Sequence, residues 1–312
     1  AWCLQQKLPT LARQHIDEAL KLDPSHPRAR RLFGYVRIDD AWLKTADPPS
    51  APPKAAEDDA RVIEQLRAAW HRRIHGLRDA FLREGAERGV RTFDAGREQL
   101  LAIRAPLAME AACALLGDEG VRTRVLLTEH LAKFEDDASA LNLLAFCLLD
   151  PDLDLRVAAA DALAARNDPR VGEFLQRALR ARVDDVVRRA AVALGRLKSP
   201  AAFDDLVTAL PTDAFAAERR SLGDLMREAE RTFSAPMDVP IDDRVAHAPA
   251  RIALPGWVRR VEQIESSATP PTARNRSEVQ EALIALTGQN YGFDAGAWRD
   301  WMRRQSVLTS PP

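Results

Sequence analysis

The sequence predicts an all-α fold: an α-α superhelix in which helix pairs stack as a solenoid, with a short irregular or β insertion before the last two helices. Three observations carry that prediction. Arg124, Arg156 and Arg188 fall 32 residues apart, and Arg220 lies 32 further on. The last apolar residue of each second helix recurs nearly in step, as Leu131, Leu163, Leu194 and Met226. Apolar residues make up 46% of the chain but aromatics only 6%, which suits thin layers of Ala, Leu and Val helices better than a sandwich or barrel. A period in the low thirties with helical spacing on both sides of an acidic turn marks a stacked two-helix repeat, because one pair alone cannot bury both of its faces.

The repeated block spans 105–231. Its first helix is small and apolar, as in the run from Ala108 to Leu116, and a second helix rich in Ala opens near each Arg. Ala favours the helix and lets axes approach closely. The pattern, an Asp in the turn followed six residues later by Arg and then by Ala and Leu, resembles HEAT repeats of the short bacterial type. That resemblance implies a ladder of turn Asp and following Arg along the stack. Asp118 with Arg124 and Asp150 with Arg156 keep the spacing. The third repeat has Arg182 where the Asp belongs, with Asp184 and Asp185 displaced, and in the fourth Asp213 comes one residue early.

In chain order, five segments are expected. Residues 1–45 form a helical segment in which Ala12, Ile16, Ala19 and Pro24 resemble a tetratricopeptide repeat, and the run from Tyr35 to Trp42 around a double Asp suits a short hairpin. Residues 46–56, with four prolines, read as a linker. Residues 57–231 hold a long helix, with Val62, Leu66, Trp70, Ile74, Leu77 and Phe81 on one stripe, and then the repeats. Asp94 is the expected N-cap of the helix leading into them. Residues 232–274 carry six prolines, which forbid a long helix and suggest a loop or short strands, with Trp257 unexplained.

Residues 275–312 are expected to be capping helices. Gly288 can end one helix at positive φ, Asp294 can cap the next, and Trp298 and Trp301 lie three apart with Tyr291 and Phe293 nearby. An aromatic lock over the open end of a solenoid is favoured over a recognition pocket. The N-terminal block and the LTGQ-x-[FY]-G-x-D-x3-W-x2-W ending resemble bacterial, planctomycete-type repeat proteins.

No catalytic residue is assigned. There is no Gly-rich phosphate loop, no CxxC and no defensible triad. His71 and His75 lie one helical turn apart but lack the Glu of a zinc-protease helix and a third ligand, so no metal and no cofactor is expected. Cys113 and Cys147 fall in apolar first helices and read as inert core thiols. Among HEAT-like enzymes, deoxyhypusine hydroxylases carry His-Glu pairs, whereas this chain has Glu129-His130 in reverse order; a bilin-lyase role has no supporting residue. The net charge of −1 gives no general pull on nucleic acid or an anionic membrane, and no apolar run is long enough for a membrane span. The chain begins with Ala and shows no signal peptide, which suggests a processed chain or a fragment.

The function expected is a non-catalytic scaffold that binds an unknown protein partner along its second helices, with Arg156, Arg188, Arg189 and Arg220 as first candidates for contact. The alternative is a nucleic-acid binder or enzyme. It rests on 162–200, where nine Lys and Arg face four Asp and Glu.

Overall fold

The 32-residue period corresponds to helix pairs that stack side by side. The computed structural model describes residues 9–26, 29–30, 35–38, 41–44, 53–82, 87–215, 218–234, 252–269 and 274–309. The chain divides into two compact units, 1–72 and 73–312.

In the first unit, helix α1 (Pro9–Leu22) stops just before Pro24, and the Asp23 carboxylate accepts from the Ser25 amide at 2.9 Å. The expected hairpin is present as β1 (Tyr35–Ile38) and β2 (Ala41–Lys44). They are antiparallel, with Tyr35 opposite Lys44 and Ile38 opposite Ala41. Helix α2 (Pro53–Leu82) starts inside the expected linker, because proline fits the first helical position, where no amide donor is needed. The linker residues before it lie outside the described residues.

The second unit takes up the end of α2, where Ile74, Leu77 and Phe81 are buried. Helix α3 (Glu87–Ala102) follows, and its Phe93 ring meets Phe81 at 5.3 Å. Asp94 is therefore an exposed residue inside α3 and not its N-cap: Phe93, one residue earlier, already lies on the buried face of the helix against Phe81. Three full layers follow: α4 (Pro106–Leu116) with α5 (Val121–Leu131), α6 (Asp137–Leu149) with α7 (Leu153–Arg166), and α8 (Pro169–Ala178) with α9 (Asp184–Leu197). Local chemistry sets their ends. Asp136, Asp152 and Asp168 accept from amides in the first turns of α6, α7 and α8, and Asn167 and Lys198 close α7 and α9 in the left-handed conformation.

The fourth layer departs from the periodic reading. Its first helix is α10 (Phe203–Ala209), but the helix that packs on both α10 and α9 is α13 (Ser277–Thr287). Helix α11 (Leu222–Ser234), which carries Met226 and follows Arg220, leaves the row of second helices and lies against α6 and α8. Helix α12 (Trp257–Ser266) packs on α11 and α6. The reason lies in side-chain distribution. The apolar residues of α11, Leu222, Leu225, Met226, Ala229 and Phe233, form one fully buried stripe. A second helix inside a stack needs apolar residues on two flanks, as α9 has with Val186, Val187, Ala190, Ala191, Ala193 and Leu194. One stripe can cover a layer but cannot join one. Helix α6 is the counterpart: every residue from Ser139 to Leu149 is buried, because repeat helices flank it and α11 and α12 cover it.

Within 232–274, where a loop or strands are expected, the described part contains α12. Residues 256–269 are free of proline, and Trp257, Val261 and Ile264 recur at helical spacing, with Val261 buried and the other two half-buried. Trp257 opens this helix. The last helix, α14 (Ala295–Thr309), packs on α10.

Candidate interaction surface

The second helices α5, α7, α9 and α13 form a continuous row, and α3 packs on α5 ahead of it. The excursion through α11 and α12 covers first helices, whereas the extensive contacts of α7 and α9 are with other repeat helices. The exposed side chains of the row include Val125 on α5, Asp154, Asp161 and Ala165 on α7, Asp185 and Arg196 on α9, and Glu281 and Ala285 on α13. Two exposed ion pairs cross between layers on it, Arg97–Glu129 at 2.8 Å and Arg196–Asp161 at 3.2 Å. Exposed pairs of this kind contribute little stability, so their side chains can re-pair with a ligand at small cost.

The ladder has a different connectivity from the six-residue pairs. Arg124 forks onto the fully buried Asp150 of the next turn, Nε to Oδ2 at 2.9 Å and Nη2 to Oδ1 at 3.1 Å. Asp118 pairs instead with Arg260 of α12, which also reaches the Gly117 carbonyl and approaches Asp150 at 3.7 Å. Arg156 donates to the carbonyls of Asp150 and Pro151 at 2.9 and 2.8 Å, and the sequence has Arg182 at the position of the next rung's acid.

The other three arginines expected to contact a partner are also engaged. Arg188 pairs with Asp184 at 2.7 Å and Glu278 at 3.6 Å. Arg189 donates to the Leu148 carbonyl at 2.6 Å, and burial holds its pKa below the usual guanidinium value. Arg220 pairs with Glu228 at 2.5 Å. Most cations of the 162–200 window are engaged in the same manner, largely by acids outside it. Arg170 binds Asp137 and Asp168, Arg177 binds Glu228, Arg180 binds Asp205 and Glu218, and Arg196 binds Asp161. Arg166 donates Nη2 to the carbonyls of Leu131 and Phe134 and to Ser139 Oγ. A linear count of charges therefore overstates the free positive potential here.

One residue that periodicity misses joins the fourth layer. Arg276, only 4% exposed, donates Nε to Asp184 Oδ1 at 2.6 Å, Nη1 to the carbonyls of Ala209 at 2.7 Å and Pro211 at 2.6 Å, and Nη2 to that of Thr212 at 3.1 Å. Its amide donates to the Leu210 carbonyl at 2.9 Å, and Pro211 bridges Asn275. The chain thus leaves the row at 210 and returns at 276 within one clasp. Beside it, Gly195 lets α9 and α13 touch, since a Cβ there would stand 2.9 Å from Ala282 Cα.

At the C-terminal end, Gly288 closes α13 at φ 71°, and Asp294 Oδ1 accepts from the Ala297 amide at 3.0 Å. Trp298 is 0% exposed, donates Nε1 to the Gly292 carbonyl at 2.9 Å, and meets Tyr291 edge-on at 5.1 Å and Phe203 at 6.4 Å. Trp301 is half-buried beside Phe203 at 6.0 Å, whereas Phe293 stays 45% exposed, so the structure does not bring Phe293 into the group.

The thiols of Cys113 and Cys147 are buried, and burial raises both pKa values, that of Cys147 to about 12. Among the described residues no helix is long and apolar enough to cross a membrane.

Two family models match the chain. One, described as HEAT repeats, covers 109–194; the other, a PBS lyase HEAT-like repeat, covers 186–210. Together they run from α4 to the end of α10 and stop where the chain leaves the row for α11. No curated protein and no solved structure matches the chain. The fold is an all-α solenoid, and its residues 109–210 match HEAT-type repeats.

Proposed function

We propose that the chain is a non-catalytic protein-interaction or scaffold module whose second-helix row holds a protein partner across several layers. The observation behind this reading is the asymmetry of cover: α11 and α12 occupy the first helices α6 and α8, and the second helices keep their exposed side chains. A row of rigid, parallel helices is suited to engaging an extended surface, because each layer adds its own small contact area. The partner contacts fall to Asp154, Asp161, Ala165, Asp185 and Arg196, while Arg156, Arg188, Arg189 and Arg220 brace the layers behind them. The Tyr291–Trp298–Trp301 group closes the last layer rather than receiving a ligand, which fits the indole N–H being spent on Gly292. The LTGQNYGFD ending supports kinship with bacterial repeat proteins of the type it resembles.

The test is photo-crosslinking in lysate of the source cell, with a photoreactive residue at Asp161 or Ala165 on the row and, as a contrast, at Arg227 on α11. The expected result is one common adduct from both row positions and none from Arg227. Adducts from Arg227 alone contradict the assignment.

A further inference from the structure

His130, in the last turn of α5, is 0% exposed, and neither ring nitrogen has a hydrogen-bond partner among the described residues. Its ring packs edge-on against Phe134, centroids 5.0 Å apart. A buried imidazole without an acceptor is stable only while neutral, since its cation would have no compensating group. The neighbouring charges sharpen this. Arg104, after α3, bears on it and donates to the carbonyls of Leu101 and Ile103; Lys133, after α5, bears on it too. Arg97 of α3 is held by Glu129. From α4, Glu110 acts on the Cys113 thiol, as does Asp136 at the start of α6; Asp136 also caps Ser139, and Asp137 pairs with Arg170. From α7 comes Arg166, whose guanidinium occupies the Leu131 and Phe134 carbonyls. A helix C-terminus ordinarily welcomes a cation, but this one is already filled by Arg166.

We propose that His130 makes the joint between the first two repeat layers an acid-opened latch, closed while its imidazole is neutral. The joint is the α5 C-terminus, the turn through Phe134 and the start of α6, which Arg166 ties to α7. Burial, then Arg104, then Lys133 push the imidazole pKa down from 6.5 to about 4. Between those values the unfolded chain binds more protons than the folded one. Stability is therefore fully present above pH 6.5 and is lost as pH falls toward 4. By pH 5 the folding equilibrium has weakened about 30-fold relative to pH 8.

The full chain tests this by urea unfolding at pH 5 to 8, wild type against His130→Leu, which keeps an apolar filling. The expected result is that the folding equilibrium weakens about 30-fold more in wild type than in the variant between pH 8 and 5. Parallel profiles overturn the proposal. Should the variant fail to fold, imidazole-labelled wild type decides the matter by NMR. Of the six histidines, at least one must stay neutral down to pH 5 in the folded chain. Six titrations with midpoints between 6 and 7 overturn the latch.

Discussion

Replacing Arg276 by Met removes four charge-assisted donors while keeping an unbranched apolar stem. The carbonyls of Ala209, Pro211 and Thr212 lose their guanidinium contacts, and Asp184, whose side chain is 10% exposed, loses a 2.6 Å partner. Removing one member of a buried ion pair costs about 3–5 kcal/mol. Asp184 keeps Arg188 at 2.7 Å, so the carboxylate is not left alone and the expected cost lies at the lower end, about 3 kcal/mol. With a urea m value of about 3 kcal/mol per molar, the midpoint falls by about 1 M. The loss is local, because stack stability is a sum of nearest-neighbour terms. Hydrogen exchange accelerates first in 203–215 and 274–287, and least in 137–166. A double-mutant cycle with Asp184→Asn isolates the pair, with an expected coupling of about 1 kcal/mol or more. A midpoint shift under about 0.3 M, or exchange that rises first in α6 and α7, refutes the clasp.

Three further outcomes follow from the same geometry. Trp298→Ala costs about 3–5 kcal/mol and loosens α10 and α14 first; Phe293→Ala, at an exposed position, shifts the melting temperature by little, and equal effects contradict the packing. Gly195→Val drives a side chain into the Ala282 backbone and costs about 1–3 kcal/mol or more in urea unfolding, whereas the same change at Gly76, with open space around its Cβ position, lacks this overpacking term. Fluorescence anisotropy with a labelled duplex shows no binding that weakens steeply with salt, because the cations of 162–200 are largely paired; a steep salt slope returns the nucleic-acid reading.

Three layers are legible in the sequence because each helix pair repeats one requirement: apolar flanks on both sides and an acid and an Arg at the turn. Arg124, Arg156 and Arg188 mark it. At Arg220 the period continues in the letters but not in space: α11, with its single buried stripe, covers α6 and α8, and α13 takes the place beside α9 with Ala282 against Gly195. The one-sided stripe of α11 and the all-apolar run through α6 are the signals that show a covering helix. Arg276 carries no pattern, because three of its partners are backbone carbonyls some 65 residues away, which side-chain periodicity cannot register, and its one side-chain partner, Asp184, lies 92 residues away. The caps at Gly288 and Asp294 are legible because they are local: a positive φ and a carboxylate three residues from an amide. The strand expectation in 232–274 counts prolines over the segment as a whole, where the proline-free stretch around Trp257 decides the outcome.

Helix α13 completes the row of second helices after α11 has left it. Arg188→Cys with Glu278→Cys, joined by a short bis-maleimide in the full chain, tests it directly, since these side chains stand 3.6 Å apart across α9 and α13. A high yield of the 188–278 link is expected, and none between Arg196→Cys and Arg227→Cys, which an unbroken 32-residue register sets on neighbouring second helices. A 196–227 link with no 188–278 link contradicts it.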